Sequence, residues 1–351
     1  MYTLETTVHE LMNDPALMKK FGYMLPEFFL QMVPDNLRDL PIGEVKTHLR
    51  MPWGVPYISE EIINSVNRIF DLSDREKYEF VKLWAEETPS DYYPVCDDSP
   101  ESASLLKYKN SFRPGRKLAL VIPGGAYNNV AISNEGMDTA EVLEKAGYAV
   151  AVLRYRCGPA NAYPNPQLDA VLAVKYLRAL AEESGLVNDL LVVGFSAGGH
   201  LAASAACYAD EIDSLLMQQL AEKHPVLCGR YGGVRAKADR LCLAYPVINL
   251  LSETHEQTAD NISGGDAALR NKLSIDLHVT GEYPKTFLWC CLDDADVPPS
   301  NAGRMYRALQ EAGVESMYCT YPSGGHGIAL GIGTSAEGWT DTMLHFMECS
   351  I

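Results

Sequence analysis

One short run constrains this chain more than any other: a hydrophobic strand passes directly into a helix of small residues. Residues 190–193 read Leu-Leu-Val-Val and lead into Gly-Phe-Ser-Ala-Gly at residues 194–198. After Gly199 and His200 comes a run of Leu, Ala and Ser. The two glycines let the backbone turn sharply, so that Ser196 can stand exposed where strand and helix meet. The N-terminal end of the following helix favours negative charge. We therefore interpret Ser196 as a nucleophile.

Strands alternate with helices on both sides of this run, from about residue 103 onward. The predicted strands are residues 117–122, 148–153, 190–193, 241–247, 286–291 and 316–321. The predicted helices between and after them are residues 135–146, 167–184, 199–208, 301–312 and 339–347. Such alternation is typical of parallel βαβ units. We predict an α/β fold over residues 103–351, with a mostly parallel central sheet and helices on both faces.

The first part of the chain carries a different pattern. Apolar residues recur at helical spacing over residues 4–12, 15–21, 25–32 and 59–70, and residues 73–76 resemble a capping box that opens a helix over 77–85. We predict a small all-helical N-terminal domain over residues 1–90. The acidic, proline-bearing residues 91–102 then form a linker or the entry to an edge hairpin.

Charge and composition limit the partners. The formal net charge of −17 would repel phosphate backbones and anionic lipid, and neither nucleic acid nor a membrane is expected as a partner. The first residues lack the pattern of a signal peptide, and no stretch approaches about 20 apolar residues. The nine cysteines are irregularly spaced, mostly in apolar runs, which favours reduced thiols. We expect a soluble cytoplasmic protein. The sequence leaves its oligomeric state open, and a homo-oligomer is one of the alternatives.

A nucleophilic serine needs backbone donors for the oxyanion that its attack creates. The strand at residues 117–122 closes in Pro-Gly-Gly-Ala-Tyr, so N–H groups near Gly125 and Ala126 could face the site alongside that of Ala197. A plain turn would explain the same glycines. Removing one such donor typically costs about 3–4 kcal/mol of transition-state stabilisation, so a catalytic serine requires a loop of this kind.

The general base is expected on a loop after the last strand, in the chain order serine, acid, histidine. Of the eight histidines, only His326 fits, in Ser-Gly-Gly-His-Gly after the strand at 316–321. His200, four residues beyond the serine, is interpreted as a structural contact. The remaining histidines lie in helical or polar, surface-like contexts, and His255 is one of them.

Three carboxylates follow the strand at 286–291 and compete for the role of the acid. We choose Asp294, which stands three residues before Val297, because Asp293 fits a loop cap and Asp296 fits a solvent-facing position. A buried acid orients the imidazole and stabilises its cation. No metal or organic cofactor is needed for such chemistry.

Taken together, five motifs resemble the acetyl esterase and acetylxylan esterase (BD-FAE-like) branch of α/β-hydrolases, over about residues 103–351. They are Pro-Gly-Gly-Ala-Tyr at 123–127, Arg-Tyr-Arg at 154–156, Gly-Phe-Ser-Ala-Gly-Gly at 194–199, Asp-Asp-Ala-Asp-Val-Pro at 293–298 and Gly-Gly-His-Gly at 324–327. The resemblance implies a triad of Ser196, Asp294 and His326. It implies the same oxyanion donors, Gly125, Ala126 and Ala197. It further implies a serine carboxylesterase that hydrolyses short acyl esters, acetyl above all, on carbohydrate such as xylo-oligosaccharides, through an acyl-enzyme.

Two other functions stay open. A peptidase or amidase of the prolyl-oligopeptidase type shares the serine motif and the triad order, although this chain has no propeller. A catalytically silent binding module would use the helical N-terminal domain as its functional surface. In the esterase interpretation, residues 250–284 form a cap over the acyl pocket.

Overall fold

The computed structural model describes residues 1–15, 17, 29–50, 56–71, 78–89, 92 and 102–349. In this part of the chain, eight strands form one sheet in the order β1-β2-β4-β3-β5-β6-β7-β8. The strands are β1 Tyr78–Lys82, β2 Ser104–Tyr108, β3 Lys117–Ile122, β4 Tyr148–Arg154, β5 Val187–Phe195, β6 Arg240–Ala244, β7 Lys285–Cys291 and β8 Ser316–Tyr321. The β1–β2 and β2–β4 pairs are antiparallel, and the remaining five pairs are parallel.

Helices connect the strands and cover the sheet. The α-helices are α1 Val8–Asn13, α2 Ile42–His48, α3 Ser59–Asp71, α4 Thr139–Lys145, α5 Asn165–Ser184, α6 Ser196–Cys207, α7 Ala209–Lys223, α8 Pro225–Tyr231, α9 Glu256–Ser263, α10 Ala267–Lys272, α11 Ser300–Glu311 and α12 Trp339–Glu348. A π-helical turn, Ile132–Asp138, leads into α4. Within the described residues, no helix is both long enough and apolar enough to cross a membrane.

The core lies along the parallel strands. All seven residues of β4 are buried, which requires cover on both faces of the sheet. α4 packs on β3 and β4, α6 packs on β5 and β6, and α11 and α12 pack on β7. The α/β prediction and the strands and helices predicted from residue 117 onward are confirmed, apart from shifts at their ends. Of the helices after residue 117, α7, α8, α9 and α10 were not predicted.

The predicted helix over residues 77–85 is wrong in its described part. Tyr78–Lys82 forms β1, which pairs antiparallel with β2, a strand that the sequence analysis also missed. The sequence of β1, Tyr-Glu-Phe-Val-Lys, is too short to decide between helix and strand, and pairing with a distant segment decides it. The capping-box residues 73–76 lie outside the described residues.

The N-terminal segment is therefore not all-helical, and its predicted separation from the rest near residue 90 remains a prediction. α1, α2 and α3 supply the helical part, whereas β1 extends the central sheet. Much of the predicted helices over 15–21 and 25–32, and residues 93–101 of the predicted linker, lie outside the described residues. The antiparallel pairing of β1 with β2 agrees with the edge-hairpin alternative.

Candidate active site

Ser196 stands at the junction of β5 and α6, at the carboxyl edge of the sheet, and its φ is +51°. This left-handed conformation is strained for a serine and persists only where the surroundings fix it. Close packing does so: a Cβ added to Gly198 would lie 2.2 Å from the carbonyl oxygen of Ile122. Since only glycine fits at position 198, the turn can press against the end of β3.

The loops after β7 and β8 bring the predicted acid and base to this serine. β7 and β8 are neighbours in the sheet, so both loops begin at the same edge. His326 Nε2 lies 2.8 Å from Ser196 Oγ, and His326 Nδ1 lies 2.7 Å from Asp294 Oδ2. The structure thus joins the three residues in one hydrogen-bonded chain, which can carry a proton from the serine to the imidazole.

The three neighbouring carboxylates have different partners. Asp294 is buried, and its Oδ1 accepts the N–H groups of Asp296 and Val297 at 3.0 and 2.9 Å. Asp293 is exposed, and its carboxylate accepts the N–H groups of Gly324 and Gly325 in the loop that carries His326. Of the three, the carboxylate that contacts the imidazole is that of Asp294.

Opposing effects act on the pKa of His326. Burial lowers it, but the hydrogen bond and the negative charge of Asp294 outweigh burial, and the charges of Glu135 and Asp296 add to them. The net pKa of His326 is raised above its ordinary value, so the site stabilises the imidazolium that forms when the serine is deprotonated. Among the described residues, no group of three His, Cys, Asp or Glu side chains could hold a metal ion.

Residues 123–127, here called the glycine loop, lie against the serine. A Cβ added to Gly124 would lie 2.8 Å from the Cβ of Ser196. Gly125 and Ala126 have φ values of +126° and +54°. Within the described part of the chain, no acceptor is found for the N–H groups of Gly125, Ala126 and Ala197. These three groups can therefore donate to a bound ligand, although their role as oxyanion donors stays a prediction.

Side chains from other elements hold the glycine loop. The hydroxyl of Tyr155 donates to the carbonyl of Pro123 at 2.9 Å. Nδ2 of Asn261, on α9, donates to the carbonyl of Ala126 at 2.8 Å. α9 lies in the predicted cap segment, so this segment contacts the loop directly.

His200 links the same loop to the cap segment. Its Nε2 lies 2.9 Å from the carbonyl oxygen of Leu273, and its Nδ1 lies 2.8 Å from the hydroxyl of Tyr127. A carbonyl oxygen only accepts, so Nε2 carries the hydrogen and Nδ1 accepts from the tyrosine. Burial lowers the pKa of His200 to about 4, which keeps the ring neutral. Both nitrogens are engaged, as suits a structural contact.

Sequence reasoning missed several residues around the site. Glu135 and Tyr245 hydrogen-bond each other at 2.8 Å behind the triad, and no local motif marks either of them. His255, assigned to the surface, is half-buried at the start of α9 and bonds Thr258 at 2.8 Å. Its pKa is lowered by burial and then by the charge of His326, so it lies within electrostatic reach of the triad. Its place in the cap segment was the one available signal.

The strand order, the strained serine after β5 and the Ser-His-Asp hydrogen bonds define an α/β-hydrolase. The chain belongs to the BD-FAE family, whose model matches residues 107–308.

Curated relatives and solved structures agree with this family. Endo-1,4-beta-xylanase B of Butyrivibrio fibrisolvens is 27% identical over 68% of this chain and 36% of its own length. The acetylxylan esterase of Xylanibacter ruminicola is 27% identical over 62% of this chain and 42% of its own length. The chain thus spans about two fifths of these relatives or less. The acetyl ester-xyloside bifunctional hydrolase from Caldicellulosiruptor lactoaceticus has a TM-score of 0.59 and 26% identity, over 77% of this chain and 94% of that one.

Proposed function

We propose that this protein is a serine carboxylesterase that removes short acyl groups, acetyl above all, from carbohydrate such as acetylated xylo-oligosaccharides. The observation that carries the proposal is the chain of hydrogen bonds from Ser196 Oγ to His326 at 2.8 Å and from His326 to Asp294 at 2.7 Å. Nucleophile, base and orienting acid are within bonding reach of one another, which is the geometry that acyl transfer requires.

In the proposed mechanism, Ser196 Oγ attacks the ester carbonyl carbon while His326 Nε2 takes the hydroxyl proton. The carbonyl oxygen becomes an oxyanion that accepts the N–H groups of Gly125, Ala126 and Ala197. When the intermediate collapses, His326 passes its proton to the leaving alcohol and an acyl-enzyme remains. Water then attacks the acyl group, with His326 again as base, and releases the acid and the free serine.

The substrate class rests on relatives and on the cap. The similar proteins carry the names acetylxylan esterase and acetyl ester-xyloside bifunctional hydrolase, which motivates acetylated xylo-oligosaccharides as the substrate. Residues 250–284 contact the glycine loop through Asn261, so they are suited to form one wall of the acyl site. The proposal requires no metal or organic cofactor.

Two substitutions with matched controls test the catalytic part. Ser196→Ala and His326→Ala should each lower kcat on p-nitrophenyl acetate by at least about 10⁴-fold. The controls are Ser214→Ala and His345→Ala, at exposed positions on α7 and α12, which should keep wild-type activity. A fluorophosphonate probe should label the wild type and not Ser196→Ala. Turnover by Ser196→Ala, or an unlabelled wild type, would contradict the proposal.

A substrate panel tests the remaining part. Acetylated xylo-oligosaccharides should be deacetylated, p-nitrophenyl acetate should be preferred to esters of longer acids, and aminoacyl-anilides should be poor substrates. A preference for the anilides would favour the peptidase alternative. If the probe labels Ser196 but no ester is turned over, the proposed esterase activity and its substrate class would both be overturned.

A further inference from the structure

A second buried carboxylate lies behind the glycine loop and takes no part in the proposed chemistry. Glu135 sits on the π-helical turn before α4 and is 3% exposed. Its Oε2 accepts the N–H of Gly124 at 2.5 Å, and its Oε1 accepts the hydroxyl of Tyr245 at 2.8 Å. A buried carboxylate is costly unless it is hydrogen-bonded, and here each oxygen has a donor. One of these donors belongs to the glycine loop.

Tyr245 carries the connection onward to the loop of His326. The hydroxyl of Tyr245 accepts the N–H of Ala329, three residues beyond the histidine, at 3.0 Å. Its ring meets the imidazole of His326 edge to face, with centroids 4.9 Å apart. Tyr245 follows β6 with a φ of +36°, an unfavourable value for a tyrosine, and its N–H is held by the carbonyl of Trp289 at 2.7 Å. A strained backbone of this kind persists only where the surrounding contacts hold it in place.

We propose that Glu135 and Tyr245 are positioning residues that hold the glycine loop and the loop of His326 at a fixed separation across Ser196. Hydrogen bonds run without interruption from Gly124 through Glu135 and Tyr245 to Ala329. The inference rests on the proposed function, because it assumes that the two loops must present donors and base to the same ester. Neither side chain hydrogen-bonds to Ser196, His326 or Asp294, and the contact of Tyr245 with the imidazole is one of ring packing alone.

The charge of Glu135 adds an electrostatic readout. The charged groups that act on His326 are Asp294, Glu135 and Asp296, which raise its pKa, and His255, whose own pKa His326 lowers from the cap side. Burial raises the pKa of Glu135, and the negative charge of Glu61 on α3 raises it further. The bonds from Gly124 and Tyr245 and the charge of His326 lower it, but burial has the largest effect and the net pKa of Glu135 is raised. At a pH above this raised pKa, Glu135 is ionised and its charge raises the pKa of His326, so replacing it by a neutral residue should lower the pKa of His326.

Two substitutions, one at Tyr245 and one at Glu135, test the hydrogen-bond chain between Gly124 and Ala329. Tyr245→Phe keeps the ring against His326 but removes the hydroxyl that joins Glu135 to Ala329. Glu135→Gln keeps the shape, but its amide can accept from only one of the two donors. Misplaced catalytic groups lose rate steeply, so each variant should lose about tenfold to 100-fold in kcat on p-nitrophenyl acetate, with KM much less changed. Glu135→Gln should also move the acid limb of kcat/KM to lower pH.

Tyr148→Phe is the matched control. Tyr148 is likewise a buried tyrosine, and its hydroxyl donates to Glu348 at 3.0 Å. It is the first residue of β4, so it lies at the end of the strand away from Ser196. Its loss should leave kcat and the pH profile unchanged. A Tyr245→Phe protein that is folded and keeps wild-type kcat would overturn the inference, as would an equal loss in Tyr148→Phe. Failure of the proposed function can be distinguished from failure of this inference, because in the former case Ser196→Ala would keep its activity.

Discussion

Asp294 meets His326 through a single carboxylate oxygen. Oδ2 lies 2.7 Å from Nδ1 of the imidazole, while Oδ1 accepts two backbone N–H groups of its own loop, those of Asp296 and Val297. One side of the carboxylate is therefore fixed to the chain, and the other fixes the histidine. Because the two oxygens have separate partners, a substitution can alter the contact with His326, which we propose to be catalytic, and leave an acceptor for the loop.

Asp294→Asn should lower kcat by about 10⁴-fold while the fold is kept. The amide oxygen can still accept from the loop, but the NH₂ group then faces Nδ1 and forces the hydrogen of the imidazole onto Nε2. His326 can then no longer accept the proton of Ser196. The acid limb of kcat/KM should also move to lower pH, because Asp294 raises the pKa of His326.

Asp296→Asn is the control for this change, since the Asp296 carboxylate makes no hydrogen bond to His326. Its kcat should stay close to the wild-type value. Steady-state kinetics with p-nitrophenyl acetate measure both variants, and circular dichroism checks the fold. An equal loss in both variants would contradict the choice of Asp294 as the acid.

The sequence carried enough information to predict that Ser196, Asp294 and His326 lie together, because each of them follows a strand. Parallel strands end at one edge of the sheet, so residues that follow the strands at 187–195, 285–291 and 316–321 meet there without any knowledge of the loops. The glycines at 194 and 198 additionally marked the turn at Ser196.

The same reasoning could not find the partners behind the triad. Glu135 and Tyr245 are 110 residues apart, and their bond depends on the tertiary arrangement that brings the π-helical turn close to the residue after β6. β1 was missed for a related reason, since pairing with β2 decides its conformation. His255 was assigned to the surface because a polar local sequence does not report how a cap segment folds back.

Asp293→Ala should reduce activity without unfolding the protein. The exposed carboxylate holds the N–H groups of Gly324 and Gly325, and these bonds lower the pKa of Asp293. Without them the loop of His326 is less well fixed, and kcat should fall by about tenfold or more, with a smaller change in KM. Because its pKa is depressed, Asp293 should hold the loop at any pH above the ordinary range of an aspartate and release it only in stronger acid.

Asp293→Asn separates geometry from charge, because its amide oxygen can still accept from one of the two glycines. It should retain more activity than Asp293→Ala. Kinetics at pH 7 with a melting-temperature control measure both variants. Wild-type kcat in Asp293→Ala would show that the loop is held by other contacts.

His200 should make stability depend on pH. Its pKa is about 4 in the folded protein, below the ordinary value of 6.5, because the ring is buried. The unfolded chain therefore binds a proton first as the pH falls. The contribution of neutral His200 to the free energy of unfolding is therefore complete above about pH 6.5. It falls by about 3 kcal/mol as the pH is lowered to about 4.

Urea unfolding at several pH values between 7 and 4 measures this effect. His200→Gln cannot titrate, so its free energy of unfolding should fall less steeply with pH than that of the wild type. Parallel pH dependences in the two proteins would contradict a buried neutral His200.

Asp169→Asn should destabilise the protein strongly. The Asp169 side chain is fully buried and pairs with Arg156, whose Nη2 lies 2.8 Å from Oδ1. The same oxygen accepts the indole N–H of Trp84, just beyond β1, at 2.7 Å, and the guanidinium lies 5.1 Å from the centre of the Trp84 ring. Removing the negative charge leaves a buried arginine without its partner, which typically costs about 3–5 kcal/mol.

Glu183→Gln is the matched control, because the pair of Glu183 and Arg230 is largely exposed and should contribute at most about 1 kcal/mol. Trp84→Phe removes the indole donor and also part of the ring that packs on Arg156. The lost bond to a charged group alone should cost about 1.5–3 kcal/mol, and the lost packing adds to that cost. Urea denaturation at pH 7 gives all three free energies of unfolding. A substantial loss in Trp84→Phe would indicate that the segment around β1 is tied energetically to α5 and to Arg156 through its contacts with Trp84. A loss in Asp169→Asn no larger than that in Glu183→Gln would contradict the structural importance of the buried pair.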